Sequence, residues 1–144
     1  MEGNPVATTF QEALVVSQPV TVPAQVVYDF ARQMENLPQW ASGLATGIEQ
    51  RDGQWFTDSP MGKVRVDMAP HNPYGVLDHD VTLPDGTTVH NAFRVTPCGE
   101  HGSLLSFVVL RPQGVSQADF DADVAHVRKD LAALQQLLER QQRP

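Results

Sequence analysis

SQADFDADVAHVRKDLAALQQLLER, residues 116–140, is the segment from which the architecture follows. Phe120, Val124, Val127, Leu131, Leu134 and Leu138 recur at alternating spacings of four and three. That rhythm lays one apolar stripe on a helix of roughly 24 residues, about 36 Å long at 1.5 Å per residue. The opposite face carries Asp121, Arg128, Lys129, Gln136 and Arg140. Ser116, three residues before Asp119, resembles a capping box with Asp in place of the usual Glu. A stripe of this kind is core, so the rest of the chain must supply a surface to receive it.

Working back from the helix, the residues read as strands. Phe10 to Val20 is rich in β-branched residues and forms a first strand. Val22-Pro23-Ala24-Gln25 opens a helix, since proline is tolerated at the first helical position, and Val26, Val27, Phe30 and Met34 follow at helical spacing. Asn36-Leu37-Pro38 starts a second short helix, Asn36 to Ser42, carrying Trp40. After Gly43 the period becomes two. Gly47 to Arg51 and Gln54 to Asp58 flank Asp52-Gly53, a two-residue hairpin signal. Val64, Val66 and Met68 alternate with Lys63, Arg65 and Asp67. Val76 to Leu83 and Thr87 to Pro97 flank Pro84-Asp85-Gly86, and Leu104 to Arg111 is a further strand. One strand, two helices, a run of about six strands with short loops and a long final helix make an α+β, two-layer fold with an antiparallel meander.

Composition narrows the function. The 144 residues carry 10 Lys+Arg against 17 Asp+Glu, a formal net charge of −7. Nucleic-acid affinity needs clustered basic side chains, and here they are few and scattered. With 41% hydrophobic and 19% charged residues the chain is globular and not disordered. A lone Cys98 excludes an intramolecular disulfide. No run approaches the roughly 20 apolar residues of a membrane span. MEGNPVATTF has neither the basic nor the apolar region of a signal peptide. The expectation is a cytoplasmic protein with one domain over residues 10–142, preceded by a flexible N-terminus of small and polar residues, 1–9.

The order of punctuation adds a resemblance. Val22-Pro23-Ala24-Gln25-Val26-Val27-Tyr28, Leu37-Pro38-Gln39-Trp40, Pro60-Met61-Gly62, Gly75-Val76-Leu77-Asp78-His79 and the terminal amphipathic helix together resemble the START-like or polyketide-cyclase-like superfamily, SRPBCC. The resemblance implies a helix-grip fold, a curved antiparallel sheet of about six or seven strands wrapped around the C-terminal helix. It also implies one of several functions, since the superfamily includes lipid carriers, plant ligand-binding proteins and polyketide cyclases. No metal or cofactor motif selects among them, and no cofactor is expected.

Register identifies the candidate site. Read as a type I turn with Pro84 and Asp85 central and Gly86 at positive φ, the hairpin pairs Leu83 with Thr87, Val81 with Val89 and Leu77 with Phe93. His79 then lies opposite Asn91 on an otherwise apolar face. Asp80 meets His90 and Asp78 lies diagonal to Arg94 on the outer face. Strand alternation therefore separates Asp78 and Asp80 from His79 and removes Asp78-His79-Asp80 as a metal motif. His71 sits in a proline-bounded loop, and Cys98 with His101 in a turn; both read as ordinary loop side chains. No G-x-S-x-G marks a serine nucleophile.

The leading expectation is a binding domain for a small apolar, aromatic, acyl or polyketide-like molecule, held in a cavity between sheet and C-terminal helix. Its walls would be Trp40, Trp55, Val66, Met68, Leu77, Val81, Val89, Phe93, Phe107, Phe120, Val124 and Val127. A second reading is a cofactor-independent cyclase or dehydratase with His79 as general acid/base and Asn91 orienting it or polarising a carbonyl. A third is a protein-interaction module. Against that third reading, Lys63, Arg65, Asp67, Asp78, Asp80, His90 and Arg94 charge the outer face, although a homodimer stays open.

Overall fold

The computed structural model of the protein describes residues 10–42, 47–60 and 62–142. Residues 1–9, Gly43, and the Met61 of Pro60-Met61-Gly62 lie outside the described residues. The elements run β1 (Phe10–Val20), α1 (Ala24–Ala31), a 3₁₀ turn (Met34–Gln39), β2 (Ile48–Arg51), β3 (Gln54–Ser59), β4 (Gly62–Met68), β5 (His79–Thr82), β6 (Thr88–Asn91), β7 (Phe93–Pro97), β8 (Ser103–Pro112) and α2 (Gln117–Gln141).

Most local signals act as expected. Ser116 accepts the Asp119 N–H at 3.1 Å and caps α2. Asp52 and Gly53 both take positive φ, the backbone of a two-residue hairpin. At Pro84-Asp85-Gly86, Leu83 N–H bonds the Thr87 carbonyl at 2.8 Å and Gly86 N–H bonds the Leu83 carbonyl at 2.9 Å, with Gly86 at φ +90°. The register that follows is the expected one: Val81 faces Val89, Asp80 faces His90, and His79 faces Asn91.

Three expectations need correction. Among the described residues strands number eight, because the segment Thr87 to Pro97 breaks at Ala92 into β6 and β7. They form two sheets, β1-β8-β7 and β2-β3-β4-β5-β6. Leu77 N–H still donates to Phe93 O at 2.8 Å, but Phe93 N–H turns to the Asp78 carboxylate at 2.9 Å. Ala92 O meanwhile accepts from Val108 N in β8, so backbone pairing passes from one sheet to the other at this point. The second correction concerns the short helix, which is a 3₁₀ turn two residues upstream, with Trp40 as its C-cap. Pro38 inside it has no N–H to give an α-helical bond.

The third correction concerns the outer surface. Charge covers it on β4 to β7, where Arg65 pairs with Asp67 at 2.9 Å and Arg94 with Asp78 at 3.0 Å. It does not extend to β1 and β8. There the cross-strand pairs Ala13–Leu110 and Val15–Val108 lie side by side, with Val15 60% and Leu110 36% exposed.

The core sits where α2 crosses β1 and β8. Phe120, Leu131, Leu134 and Leu138 are buried from α2, and Val16, Val20, Leu105 and Val109 from the strands. Each such side chain is worth about 1.5–3 kcal/mol on transfer from water. Val124 and Val127 are half-buried at the margin of this cluster. Thr21 N–H donates to Glu139 at 2.9 Å and fastens the end of β1 to the last turns of the helix.

Candidate functional site

Cross-strand pairing arranges the inner face in rows. Met68, His79 and Asn91 form one across β4, β5 and β6; Trp55, Val66, Val81 and Val89 form the next across β3 to β6. Beyond the break, Leu77 bonds Phe93, Phe93 faces Phe107, and Phe107 faces Val16. His79 stands at the meeting of the two sheets. Its ring is edge-on to Phe93, centroids 6.4 Å apart, and to Phe107 at 6.1 Å. Trp40 tilts against Phe93 at 5.9 Å. The Trp40 Nε1 donor is buried without a hydrogen-bond partner among the described residues, a situation that costs about 1–3 kcal/mol.

The proton on His79 can be placed from its neighbours. Nδ1 lies 3.0 Å from Leu77 O. A carbonyl only accepts, so Nδ1 carries the hydrogen and Nε2 presents a lone pair. Leu77 O is the acceptor freed when Phe93 N–H turned to Asp78, so the side chains of Asp78 and His79 together replace one ladder bond at the sheet junction. Asn91 Nδ2 donates to His79 Nε2 over 3.4 Å, a long hydrogen bond that a better-placed donor would displace. Burial lowers the imidazole pKa below its usual value, only partly offset by the Leu77 carbonyl, and so holds the ring neutral. A neutral imidazole beside a carboxamide can accept a hydrogen bond or a proton at Nε2 while the amide donates to a carbonyl.

A cleft of about 400 Å³ opens between the α1–3₁₀ junction and β3–β4, lined by Arg32, Gln33, Met34, Glu35, Gly53, Trp55, Val66, Asp67, Met68 and Ala69. Trp55, Val66 and Met68 are the expected wall residues it brings together, and Met68 is the direct cross-strand neighbour of His79. It does not lie between the sheet and the C-terminal helix, where a cavity was expected. Neither this cleft nor the second one described below is lined by α2: Phe120 is core at 3% exposure, and Val124 and Val127 flank that core. Leu77 and Phe93 are also fully packed, and Val66, at 3% exposure, is nearly so. Val81 and Phe107 are half-buried, while Val89 is 44% exposed on the edge strand β6.

Other constellations offer less. A second cleft, about 290 Å³, lies under the Asn72–Gly75 loop beside Tyr28 and Tyr74, and His71 stacks on Tyr28 at 5.7 Å. Cys98 is exposed and free. Ser42, Asp130 and His126 come together, a grouping invisible in the sequence because 88 residues separate the first two. Asp130 lies in the middle, however, accepting from Ser42 Oγ at 2.7 Å, so the imidazole has no path to the serine proton. Among the described residues no group of three or more His, Cys, Asp or Glu could hold a metal ion, and no helix is long and apolar enough to cross a membrane.

Compared by sequence, the chain matches no protein-family profile and no curated protein. Compared by structure, it matches the protein XoxI from Bacillus cereus with TM-score 0.72 and 14% identity over 93% of this chain and 100% of that one. A START superfamily protein from Mycobacterium smegmatis matches with TM-score 0.65 and 16% identity, covering 89% and 97%. The Zhui aromatase/cyclase from Streptomyces sp. R1128 matches with TM-score 0.65 and 15% identity, covering 92% and 96%. These likenesses show the fold, a helix grip shared with a START superfamily protein and an aromatase/cyclase. At these identities the likeness carries the architecture, and the helix grip here differs from the expected one chiefly in the division of its sheet at Ala92.

Proposed function

We propose that this helix-grip protein binds a small, largely apolar organic molecule on the inner face of β3 to β6, entering by the cleft over Trp55, Val66 and Met68. The observation that carries the reading is His79 Nε2, an unprotonated acceptor among aromatic rings and adjacent through Met68 to the cleft floor. Pockets combine apolar walls with a few placed polar anchors; Trp55, Val66 and Met68 are the apolar wall here, and His79 stands one strand beyond Met68. Thermal melting with a panel of aromatic, acyl and polyketide-like compounds tests it. Melting shifts that disappear in Met68→Arg, a variant that fills the cleft, are expected; no shift with any compound refutes the reading.

The cyclase reading rests on the same pair, His79 as base and Asn91 as carbonyl donor, in a fold shared with an aromatase/cyclase. Turnover separates the two: a cyclase converts a poly-β-keto substrate, and a binding protein returns it intact. Self-association is a third reading, favoured by the apolar outer face of β1 and β8. On a two-fold axis at Val15, β1 would pair with a second copy so that Glu12 meets Gln18, with no like charges opposed. Light scattering would then report a dimer that Val15→Lys dissolves.

A further inference from the structure

Two charged residues lining the cleft, Arg32 and Glu35, make no ion pair among the described residues, and Arg32 is the one cation in that lining. Arg32 ends α1 as its C-cap and is half-buried in the cleft wall. It makes no ion pair among the described residues. Asp67, in the same wall, is held by Arg65 Nε at 2.9 Å. Glu35 is exposed on the first turn of the 3₁₀ segment, where water screens it. Trp55, Val66 and Met68 supply the apolar part of the lining. A guanidinium presents a rigid fork of donors matched to a carboxylate, and a partly desolvated one gains more from such a pairing than an exposed one.

We propose that the ligand is an amphipathic organic acid, its carboxylate paired with Arg32 and its apolar body lying over Trp55, Val66 and Met68 toward His79. This rests on the reading of the cleft as the ligand site and adds the ligand's charge and orientation. His79 Nε2 then selects for a hydrogen-bond donor, such as a hydroxyl, at the far end of the molecule. At about 400 Å³ the cleft lies at the lower end of small-molecule sites, which suits a compact acid.

Calorimetric titration of the full chain with 2-naphthylacetate and decanoate, each beside its methyl ester, tests the proposal. The acids are expected to bind at least about tenfold tighter than the esters, a factor worth about 1.4 kcal/mol, and to weaken as salt rises while the esters do not. Arg32→Gln should bring each acid to the affinity of its ester and leave ester binding unchanged. Arg32→Lys, which keeps the charge and loses the fork, should fall between. Glu35→Gln should leave acid binding equal or tighter. Equal binding of acid and ester to the wild type overturns the Arg32 anchor while leaving the cleft as a binding site. Binding of neither overturns both. Loss of ester binding in Arg32→Gln makes Arg32 structural, and acid binding that falls only in Glu35→Gln assigns the cleft to cations; each overturns the proposal.

Discussion

His79 and Asn91 face each other as a direct cross-strand pair, yet their side chains meet only at 3.4 Å, while His79 makes its shorter bond, 3.0 Å, to Leu77 O. The two residues therefore have separable duties. Removing the imidazole in His79→Phe strands the Leu77 carbonyl and is expected to cost about 1–3 kcal/mol. Asn91→Leu removes a long contact and should change stability by less than about 1 kcal/mol. If Asn91 contacts ligand, this nearly neutral variant should still weaken binding about tenfold or more. Urea titration with binding measured on the same samples checks both; unchanged affinity in Asn91→Leu removes it from the site.

The junction of the two sheets depends on Asp78, whose carboxylate, 13% exposed, accepts from the Phe93 N–H and from Arg94. Burial is the largest single effect and pushes its pKa up, but the Arg94 guanidinium and then the Phe93 N–H together outweigh it and hold the carboxyl below its usual value. Asp78→Ala should cost about 1–3 kcal/mol by orphaning a backbone donor. Arg94→Gln removes a guanidinium that is itself 54% exposed, leaves the Phe93 bond in place and should cost less than Asp78→Ala. Faster amide exchange at Phe93 in Asp78→Ala would accompany the loss. Equal costs for the two variants would mean that charge, and not the backbone bond, is what Asp78 provides.

Acidification should act through His79. Its folded pKa lies below the unfolded value of 6.5 because burial penalises the cation. As pH falls through 6.5 the unfolded chain takes up the proton first, so stability declines by at most about 1.4 kcal/mol per pH unit until the folded value is reached. His90 has the opposite sign: Asp80, at 2.7 Å, raises its pKa, so its contribution is present below 6.5 and lost as pH rises through the folded value. Its exposure keeps that contribution small. Asp78, with its depressed pKa, enters only below about 3.8. Denaturation of wild type and His79→Gln at pH 7.5, 6.5 and 5.5 should show the decline only in the wild type; parallel curves would refute it.

How much of this was legible in residues 116–140 and 77–93 depends on the range of the forces involved. The α2 stripe and the register of the hairpin follow from side-chain period and from one proline-glycine turn, both local, and both were readable. The face shared by His79 and Asn91 follows directly from that register. The break at Ala92 was not readable. It needs a carboxylate at 78 to capture an amide at 93 and a carbonyl at 92 to reach β8, and no hydrophobic period records either event. The cleft over β3 and β4 was not readable for a similar reason. Its position depends on how α1 and the 3₁₀ turn seat over β3 and β4, and Arg32 at that joint looks in sequence like any charged residue ending a helix.

The α2 stripe sets a stability test. Leu131 and Leu134 are 1% and 0% exposed, so Leu131→Ala or Leu134→Ala should each cost about 2–5 kcal/mol. Val124, only half-buried, should cost less when truncated to Ala. A gradient of this kind along one helix, read by urea denaturation, distinguishes a packed stripe from a helix that merely lies on the sheet. Wild-type melting in Leu131→Ala would contradict the packing.

Two glycines at positive φ separate strain from collision. Gly86, at φ +90°, has no heavy atom within 4 Å of where a Cβ would stand, so Gly86→Ala meets only the backbone penalty, about 1–2 kcal/mol. Gly75, at φ +73°, would drive a Cβ into Val95 O, and its own carbonyl accepts the Val95 N–H at 3.0 Å. Alanine there must push β7 away from the segment that leads into Leu77, Asp78 and His79. Gly75→Ala should therefore destabilise the protein by more than Gly86→Ala and also weaken ligand binding, because the displaced strand carries Phe93 against the His79 ring. Gly86→Ala should leave affinity near wild type. Melting and binding measured on both variants decide the matter, and equal losses in the two would show that the approach of Gly75 to β7 does not position the site.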